Sequence, residues 1–271
     1  MSPPLELKSA FRPRPVDANK RSVGTVAVVG GCTRFPHAPV IAGLGARAAG
    51  AGLVHLSVPE ASRAAAGALL PEATFAEAGA PPKADVTVVG MGLGLDAGAQ
   101  ETVARVLSGG SGRIVVDADA LTILARGGAC VPVEGRALVL TPHEGEAARL
   151  LGWDLAKIRE DRRAAARALV ARYGATVVLK GAHTLMPSSD GMRIYENATG
   201  NPLMALGGMG DLLAGVIGAR WAYLGGDPFL AAAASVWLHG AAGDKILSEG
   251  IDPSLVNTAS ALGGLRVRLD V

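Results

Sequence analysis

Along this chain, short runs of branched apolar residues alternate with longer Ala-rich stretches that suit helices. The runs at 26–29, 53–58, 86–89, 114–116, 138–140 and 176–179 carry no inside–outside alternation, as expected of strands covered on both faces. The stretches 37–50, 97–107, 121–126, 144–151, 156–173, 211–224 and 228–247 read as helices. Segments 184–186 and 193–195 read as a small antiparallel pair. Strands alternating with helices predict an α/β fold, a mostly parallel sheet with helices on both sides. No Pro- or Gly-rich linker divides the chain, so a single domain over 1–271 is expected, with 1–22 as an extended, Pro-rich arm.

Composition sharpens this picture. Of the 271 residues, 49% are hydrophobic but only 4% aromatic, so Ala, Val, Leu and Gly must fill the core. The 37 glycines gather in short clusters, which suits loops where backbone approaches a ligand closely. A net charge of +2 is too balanced for a dedicated nucleic-acid binder. The basic residues Lys8, Arg12, Arg14, Lys20 and Arg21 read as a solvated face of the arm. The opening residues lack the apolar centre of a signal peptide. The most apolar region, 212–243, is interrupted by Arg220, Gly225, Gly226, Asp227 and Pro228, so no membrane helix is expected. Cys32 and Cys130 show no metal-ligand spacing. No disulfide is expected, and a reducing cytoplasmic location fits.

In open α/β sheets, ligands meet the carboxyl ends of the strands. The residues there are Gly30-Gly31, Gly90 to Gly94, Asp117-Ala118-Asp119, Thr141 to Glu146 and Lys180-Gly181. Further on, Asn197 to Asn201 precede Gly207-Gly208-Met209-Gly210-Asp211, and an apolar helix follows. Free amides and the helix dipole make such a tip an anion site. Asp211 reads either as that helix's N-cap or as a general base; three glycines before it favour the base, because a cap needs one residue. No Gly-Lys-Ser/Thr follows, and Gly90 to Gly94 lack the third glycine of a dinucleotide fingerprint. Asp117 and Asp119, two apart after a strand, are expected to point the same way, towards metal, ribose or substrate; alternatively one caps the next helix. His143 and Glu146 read as a ligand contact and an indirect magnesium contact, or as a helix start with acids in its first turn. His37, His55, His183 and His239 have no evident partners and read as surface or core histidines. No Ser-His-Asp order or Gly-x-Ser-x-Gly elbow occurs.

Taken in order, several blocks resemble one family. They are Gly30-Gly31 with Ala38-Pro39, Gly50-Ala-Gly-Leu-Val54, Gly90-Met-Gly-Leu-Gly94 and Val116-Asp-Ala-Asp-Ala-Leu121. Leu140-Thr-Pro-His-Glu-Gly-Glu146, Leu179-Lys-Gly-Ala-His-Thr184, Asn197-Ala-Thr-Gly-Asn-Pro202 and Gly207-Gly-Met-Gly-Asp211 follow. The set, from about Lys20 to Asp244, resembles the ADP/ATP-dependent (S)-NAD(P)H-hydrate dehydratases of the ribokinase-like superfamily. That resemblance implies a ribokinase-like three-layer α/β/α sandwich. It implies an activity in which ADP or ATP phosphorylates the hydroxyl of hydrated NADH or NADPH, after which phosphate leaves. It implies Asp211 as catalytic base and the amides of Gly207, Gly208, Met209 and Gly210 as an anion hole. Ala38, Gly92, Gly94, Asp119, His143 and Asp211 would contact the hydrate. Lys180, Gly181, Ala182, His183, Thr184, Asn201 and Gly210 would contact the nucleotide. Mg2+ is the implied cofactor, touched indirectly by Glu146.

Departures from the family's usual residues fall at Met91, where Pro is common, at Glu144, also commonly Pro, and at Met209, commonly Ser or Thr. Segment 32–37 replaces a Ser-rich, Tyr-containing loop. The family's epimerase domain has no counterpart, so a separate epimerase is the expected functional partner. Single-domain members tend to use ADP and to form tetramers. No nucleic-acid or membrane partner is expected. The rival readings are a ribokinase-like kinase of a small alcohol or vitamin precursor, and a nucleotide-binding regulator without turnover.

Overall fold

In a computed structural model, which describes residues 2–109, 112–127 and 136–271, the branched apolar runs pair into one sheet. Its strands are β1 (Thr25–Val29), β2 (Leu53–Ser57), β3 (Thr74–Ala76), β4 (Val86–Val89), β5 (Arg113–Val116), β6 (Ala137–Leu140) and β7 (Thr176–Val177). They lie in the order β3-β2-β1-β4-β5-β6-β7, and every pairing is parallel. The order reverses between β1 and β4, which places a crevice at their carboxyl ends. A separate antiparallel pair, β8 (Leu185–Pro187) and β9 (Ile194–Glu196), matches the expected hairpin.

The helices are α1 (Ala38–Ala48), α2 (Glu60–Leu69), α3 (Ala97–Ser108), α4 (Asp119–Ala125), α5 (Glu144–Leu151), α6 (Leu155–Glu160), α7 (Arg162–Tyr173), α8 (Met209–Leu224), α9 (Pro228–Ser248) and α10 (Leu255–Leu269). Alternate strand residues feed two cores. Val26, Val28, Val54, Leu56, Val86, Val88, Val115 and Val139 pack with α1, α2, α8, α9 and α10. Val29, Val89, Ile114, Val116, Leu138, Leu140 and Val177 pack with α3, α4, α5 and α7. Burial on both faces is why the runs lack alternation, and the expected three-layer α/β/α sandwich follows.

Helix α8 aims the candidate site. A side chain on Gly218 would press on Val26 of β1 and Val88 of β4, so the helix lies over the point where strand order reverses. Ala222, near its end, abuts Gly24 at the start of β1. The helix therefore runs antiparallel to the strands and presents its N-terminus at their carboxyl edge. Its axis approaches α1 closely, because Cβ atoms on Gly45 and Gly215 would overlap the Leu212 and Ala42 carbonyls.

Several expectations change. Segment 156–173 is two helices, because Asp161 leaves helical geometry (φ −139°, ψ 83°) and its carboxylate caps α7 through the Ala164 N–H. Strand β7 stops at Val177, since Leu179 turns to bridge antiparallel to Leu185. The elements α2, β3 and α10 add to those expected. The stretch 1–22 contains a 3-10 turn, Leu5–Ala10, with Leu7 and Ala10 buried. Nor is its basic cluster wholly solvated. Arg14 is half-buried and bonds the Gly50 carbonyl, and Arg12 and Arg14 both lie over the Tyr223 ring. Cys32 is a free, half-buried thiol, and Cys130 lies outside the described residues. Among the described residues no helix is long and apolar enough to cross a membrane.

Candidate active site

The loops after β1, β4, β5, β6 and β7 converge with the tip of α8 at one edge of the sheet. Gly208 takes a left-handed conformation (φ 93°) as N-cap of α8, without a side-chain cap. Asp211 therefore occupies the third helical position and does not cap the helix, which removes one of its two readings. The Met209 N–H donates to the Leu206 carbonyl at 3.3 Å, so its amide is already engaged. Those of Gly210 and Asp211 lie in the first turn, where no preceding helical carbonyl exists to receive them. The Met209 side chain is 6% exposed and packs with Leu212 and Ala259. A side chain there serves the core, which accounts for Met where a hydroxyl is common.

Beneath this tip lies a cation. The Lys180 ammonium donates to Asp117 Oδ1 at 2.7 Å and stands 4.0 Å from Glu146 Oε2. Its Nζ would be 3.2 Å from a Cβ on Gly210. Asp117 is 1% exposed and also accepts the Thr141 hydroxyl at 2.8 Å. Burial alone would lower the Lys180 pKa, but the carboxylates of Asp117, Glu146 and Asp211 outweigh it and the pKa is raised. Asp211 is pushed up to about 7, first by burial and then by the negative charge of Asp117, with Lys180 opposing. Glu146 is likewise pushed up to about 7, chiefly by burial.

Asp117 and Asp119 do not point the same way. Ala118 between them has φ 52° and ψ −120°, a costly geometry for a residue with a Cβ, which breaks the strand's alternation. Asp117 turns towards β6 and β7, whereas Asp119 accepts the Gly94 N–H at 2.8 Å and ties down the loop after β4. Neither caps a helix at Leu121, because α4 begins at Asp119 itself.

His143 is the N-cap of α5. Its Nδ1 accepts the N–H groups of Gly145 (3.0 Å) and Glu146 (3.2 Å), and Glu146 Oε2 accepts the His143 N–H at 2.8 Å. This capping box assigns the ring proton to Nε2, which stands 3.4 Å from Glu146 Oε1 and is the edge left for a ligand. Burial, then Lys180 and Arg149, lower the His143 pKa and keep the ring neutral. Glu144 pairs with Arg159 and Arg162, each at 3.1 Å, so the departure from Pro builds an ion-pair network. Met91 is fully buried and its carbonyl accepts the Gly31 N–H at 2.9 Å, joining two of the glycine loops.

Beside the loops after β1 and β4, a Cβ on Gly92 would lie 3.0 Å from the Ala38 Cβ and 2.7 Å from the Phe35 Cβ, so these positions share one wall. Phe35 is an exposed aromatic there, with Arg34 over its ring. On the opposite side, Arg162 donates to the carbonyls of Ala182 (2.7 Å) and His183 (3.2 Å), holding the 180–184 loop. His183 has φ 57°, and its ring lies 3.6 Å from Glu196. The Thr184 hydroxyl donates to the Gly181 carbonyl. Asn201 is spent on the protein: its amide donates to Asp244 Oδ1 at 3.0 Å and its oxygen accepts the Leu203 N–H. Of the remaining histidines, His55 bonds the Thr74 hydroxyl, and His239 is buried with its pKa lowered to about 4 by burial.

Sequence reasoning missed Arg162, Phe35 and Asp244, and named Thr141 only as part of a strand-end run. Only Asp244 carried a signal, as a lone acid within an otherwise apolar helix. Among the described residues no three His, Cys, Asp or Glu side chains group to hold a metal. Lys180 supplies positive charge between Asp117 and Glu146, so the donor set fits a cation held mainly by phosphate oxygens and water rather than by a protein cage.

A family model described as NAD(P)H-hydrate dehydratase matches residues 26–260. The ADP-dependent (S)-NAD(P)H-hydrate dehydratase of Neisseria meningitidis serogroup B is 41% identical, covering 98% of this chain and 92% of that one. The bifunctional NAD(P)H-hydrate repair enzyme Nnr of Thermanaerovibrio acidaminovorans is 38% identical over 91% of this chain. The alignment covers 52% of that relative, so the chain spans about half its length. An ADP/ATP-dependent NAD(P)H-hydrate dehydratase from Bacillus subtilis, co-crystallised with ATP and Mg2+, superposes with a TM-score of 0.84. It is 28% identical and covers 97% of this chain and 94% of its own. The expected ribokinase-like fold stands.

Proposed function

The chain belongs to the NAD(P)H-hydrate dehydratase family, and on that premise we propose that it is an ADP- or ATP-dependent (S)-NAD(P)H-hydrate dehydratase whose base is Asp211. The observation that carries the assignment of roles is Asp211 in the first turn of α8, beside free amides and above Lys180, with its carboxyl pushed up to about 7. A base of that strength is half ionised near neutral pH and suits proton removal from a hydroxyl.

The reaction follows from the parts. Asp211 takes the hydrate's hydroxyl proton as the oxygen attacks the terminal phosphorus of the nucleotide. The new P–O bond forms as the bond to the departing nucleotide breaks. Charge developing on the phosphoryl oxygens meets the amides of Gly207, Gly208 and Gly210 and the Lys180 ammonium below them. Hydroxide is a poor leaving group and phosphate a better one. The C–O bond then breaks, phosphate departs, and loss of a proton from the neighbouring carbon restores the dihydropyridine. The wall of Ala38, Gly92 and Gly94, with Asp119 and His143, receives the hydrate. The loop Lys180-Gly181-Ala182-His183-Thr184 and the segment at Asn201 receive the nucleotide.

Mg2+, when bound, would neutralise phosphate charge, and Glu146 would be the residue to hold it, through water. A cytoplasmic location, a homotetrameric state and a functional link to an NAD(P)H-hydrate epimerase belong to the same reading.

The test is incubation with hydrated NADH or NADPH, Mg2+ and either ADP or ATP, following the near-ultraviolet absorbance of reduced nicotinamide. Regained absorbance with one phosphate released per turnover is the expected result. A stable phosphorylated product would make the protein a small-alcohol kinase. Nucleotide binding without turnover would make it a regulator.

A further inference from the structure

The segment between β9 and α8 lies along one face of α9, and the contact is built at four positions of that helix. The Thr199 hydroxyl donates to the Trp237 carbonyl at 2.9 Å. A Cβ on Gly240 would overlap Thr199, and one on Gly243 would overlap the Met204 sulfur. One turn on, Asp244 Oδ2 accepts the Gly200 N–H at 2.8 Å, and its Oδ1 accepts Asn201 Nδ2 at 3.0 Å. Residue 240 is three from 237 and from 243 and four from 244, so these positions share a helix face. Glycine at two of them lets the segment lie close, and aspartate at the last anchors it. Beyond Asn201, Met204 packs into the cluster that holds Met209 and Leu212. The chain then enters Gly207-Gly208 and the tip of α8.

The two hydrogen bonds that Asp244 accepts come from Gly200 and Asn201, and both are charge-assisted. We infer that Asp244 is a positioning residue for the phosphoryl donor: by clamping Gly200 N–H and Asn201 Nδ2 it fixes the course of the segment leading into the phosphate-gripping tip. The inference rests on the nucleotide-dependent reading above. It acts on the donor side, because Asp244 bonds the segment that leads to the tip, whereas Ala38, Gly92 and Gly94 belong to other loops.

A donor–acceptor exchange tests it. Asp244→Asn sets an amide against one of the two donors, and Asn201→Asp sets two carboxylates against each other. The double variant restores complementarity: Asn at 244 accepts from Gly200 and donates to Asp at 201, which still accepts the Leu203 N–H. Each single variant is expected to raise the nucleotide KM roughly tenfold, about one charge-assisted hydrogen bond. The hydrate KM should stay within about twofold, and the double variant should return to within about threefold of wild type. Calorimetric affinity for ADP, without hydrate, should follow the same order. A purely structural role would lower the unfolding temperature and shift both KM values together, which overturns the inference. So does an unchanged nucleotide KM in Asp244→Asn, or a double variant no better than Asn201→Asp. Wild-type protein runs in the same assay. If it fails to bind nucleotide or repair hydrate, the dehydratase reading falls; if it succeeds and the variants match it, only the role of Asp244 does.

Discussion

At the scale of single residues, the site is governed by negative charge held close with one built-in cation. Asp211 ionises with difficulty because it is buried and faces Asp117, while Lys180 eases it. Since the base must be ionised, kcat/KM is expected to rise with pH through about 7. Asp211→Asn should cost on the order of 10²- to 10⁴-fold in turnover, with nucleotide affinity retained, as rates and calorimetry will read. The same carboxyl carries a stability consequence. Its folded pKa is raised above 3.8, so the folded state binds the proton more tightly than the unfolded state. The resulting stability is fully present below 3.8 and is lost as pH rises through about 7. Asp211→Asn should therefore melt at a higher temperature than wild type at alkaline pH, with the difference shrinking towards pH 4. Lys180→Met should do the reverse to the site. It removes the cation that holds Asp211 down and strands Asp117, which is 1% exposed. The acid limb of the pH–rate profile should move to higher pH, and urea denaturation should show a loss of about 3 kcal/mol or more.

At the scale of elements, one helix decides where the chemistry happens. Helix α8 is buried along most of its length from Leu212 to Trp221, which is why its sequence lacks a polar stripe. Its tip reaches the strand ends because Gly45 and Gly215 let α1 and α8 approach backbone to backbone. Gly215→Val would force the two helices apart. It is expected to cost about 1–3 kcal/mol in denaturant unfolding and to weaken nucleotide binding, because the displaced tip carries Gly207 to Gly210. A Gly→Val change at exposed Gly67, whose Cβ would meet open space, provides the comparison and should leave nucleotide affinity alone.

At the scale of the whole molecule, the two ends of the chain are buckled together on the face remote from the site. Arg220, 1% exposed, donates to Asp270 at 2.8 Å and to the Ala10 carbonyl, and its guanidinium lies over Phe11. Phe11 in turn meets Trp237 edge-on. The expected free arm is thus part of the packed structure. Asp270→Ala leaves the buried Arg220 charge without its carboxylate, although Ala10 still accepts from it. A loss of roughly 3–5 kcal/mol is expected, visible as a lowered calorimetric melting temperature. Because α8 carries this buckle at its far end, kcat well below the transition should be nearly unchanged.

Much of this could be read from the residues in order. The strands, the two-sided core, the carboxyl-edge location of the site, and Asp211 with its glycines all follow from local pattern, because burial and helix-tip chemistry act over a few neighbouring positions. Packing between distant segments could not be read this way. It sends Asp117 and Asp119 to opposite neighbours, turns Lys180 inward beneath Gly210, takes Asn201 into a bond with Asp244, and makes a buckle of the N-terminal segment. Each of these depends on groups some 25 to 210 positions apart along the chain. Nothing in a sequence window records which side chains will share one low-dielectric space; only the closed fold sets those distances, and with them the charges.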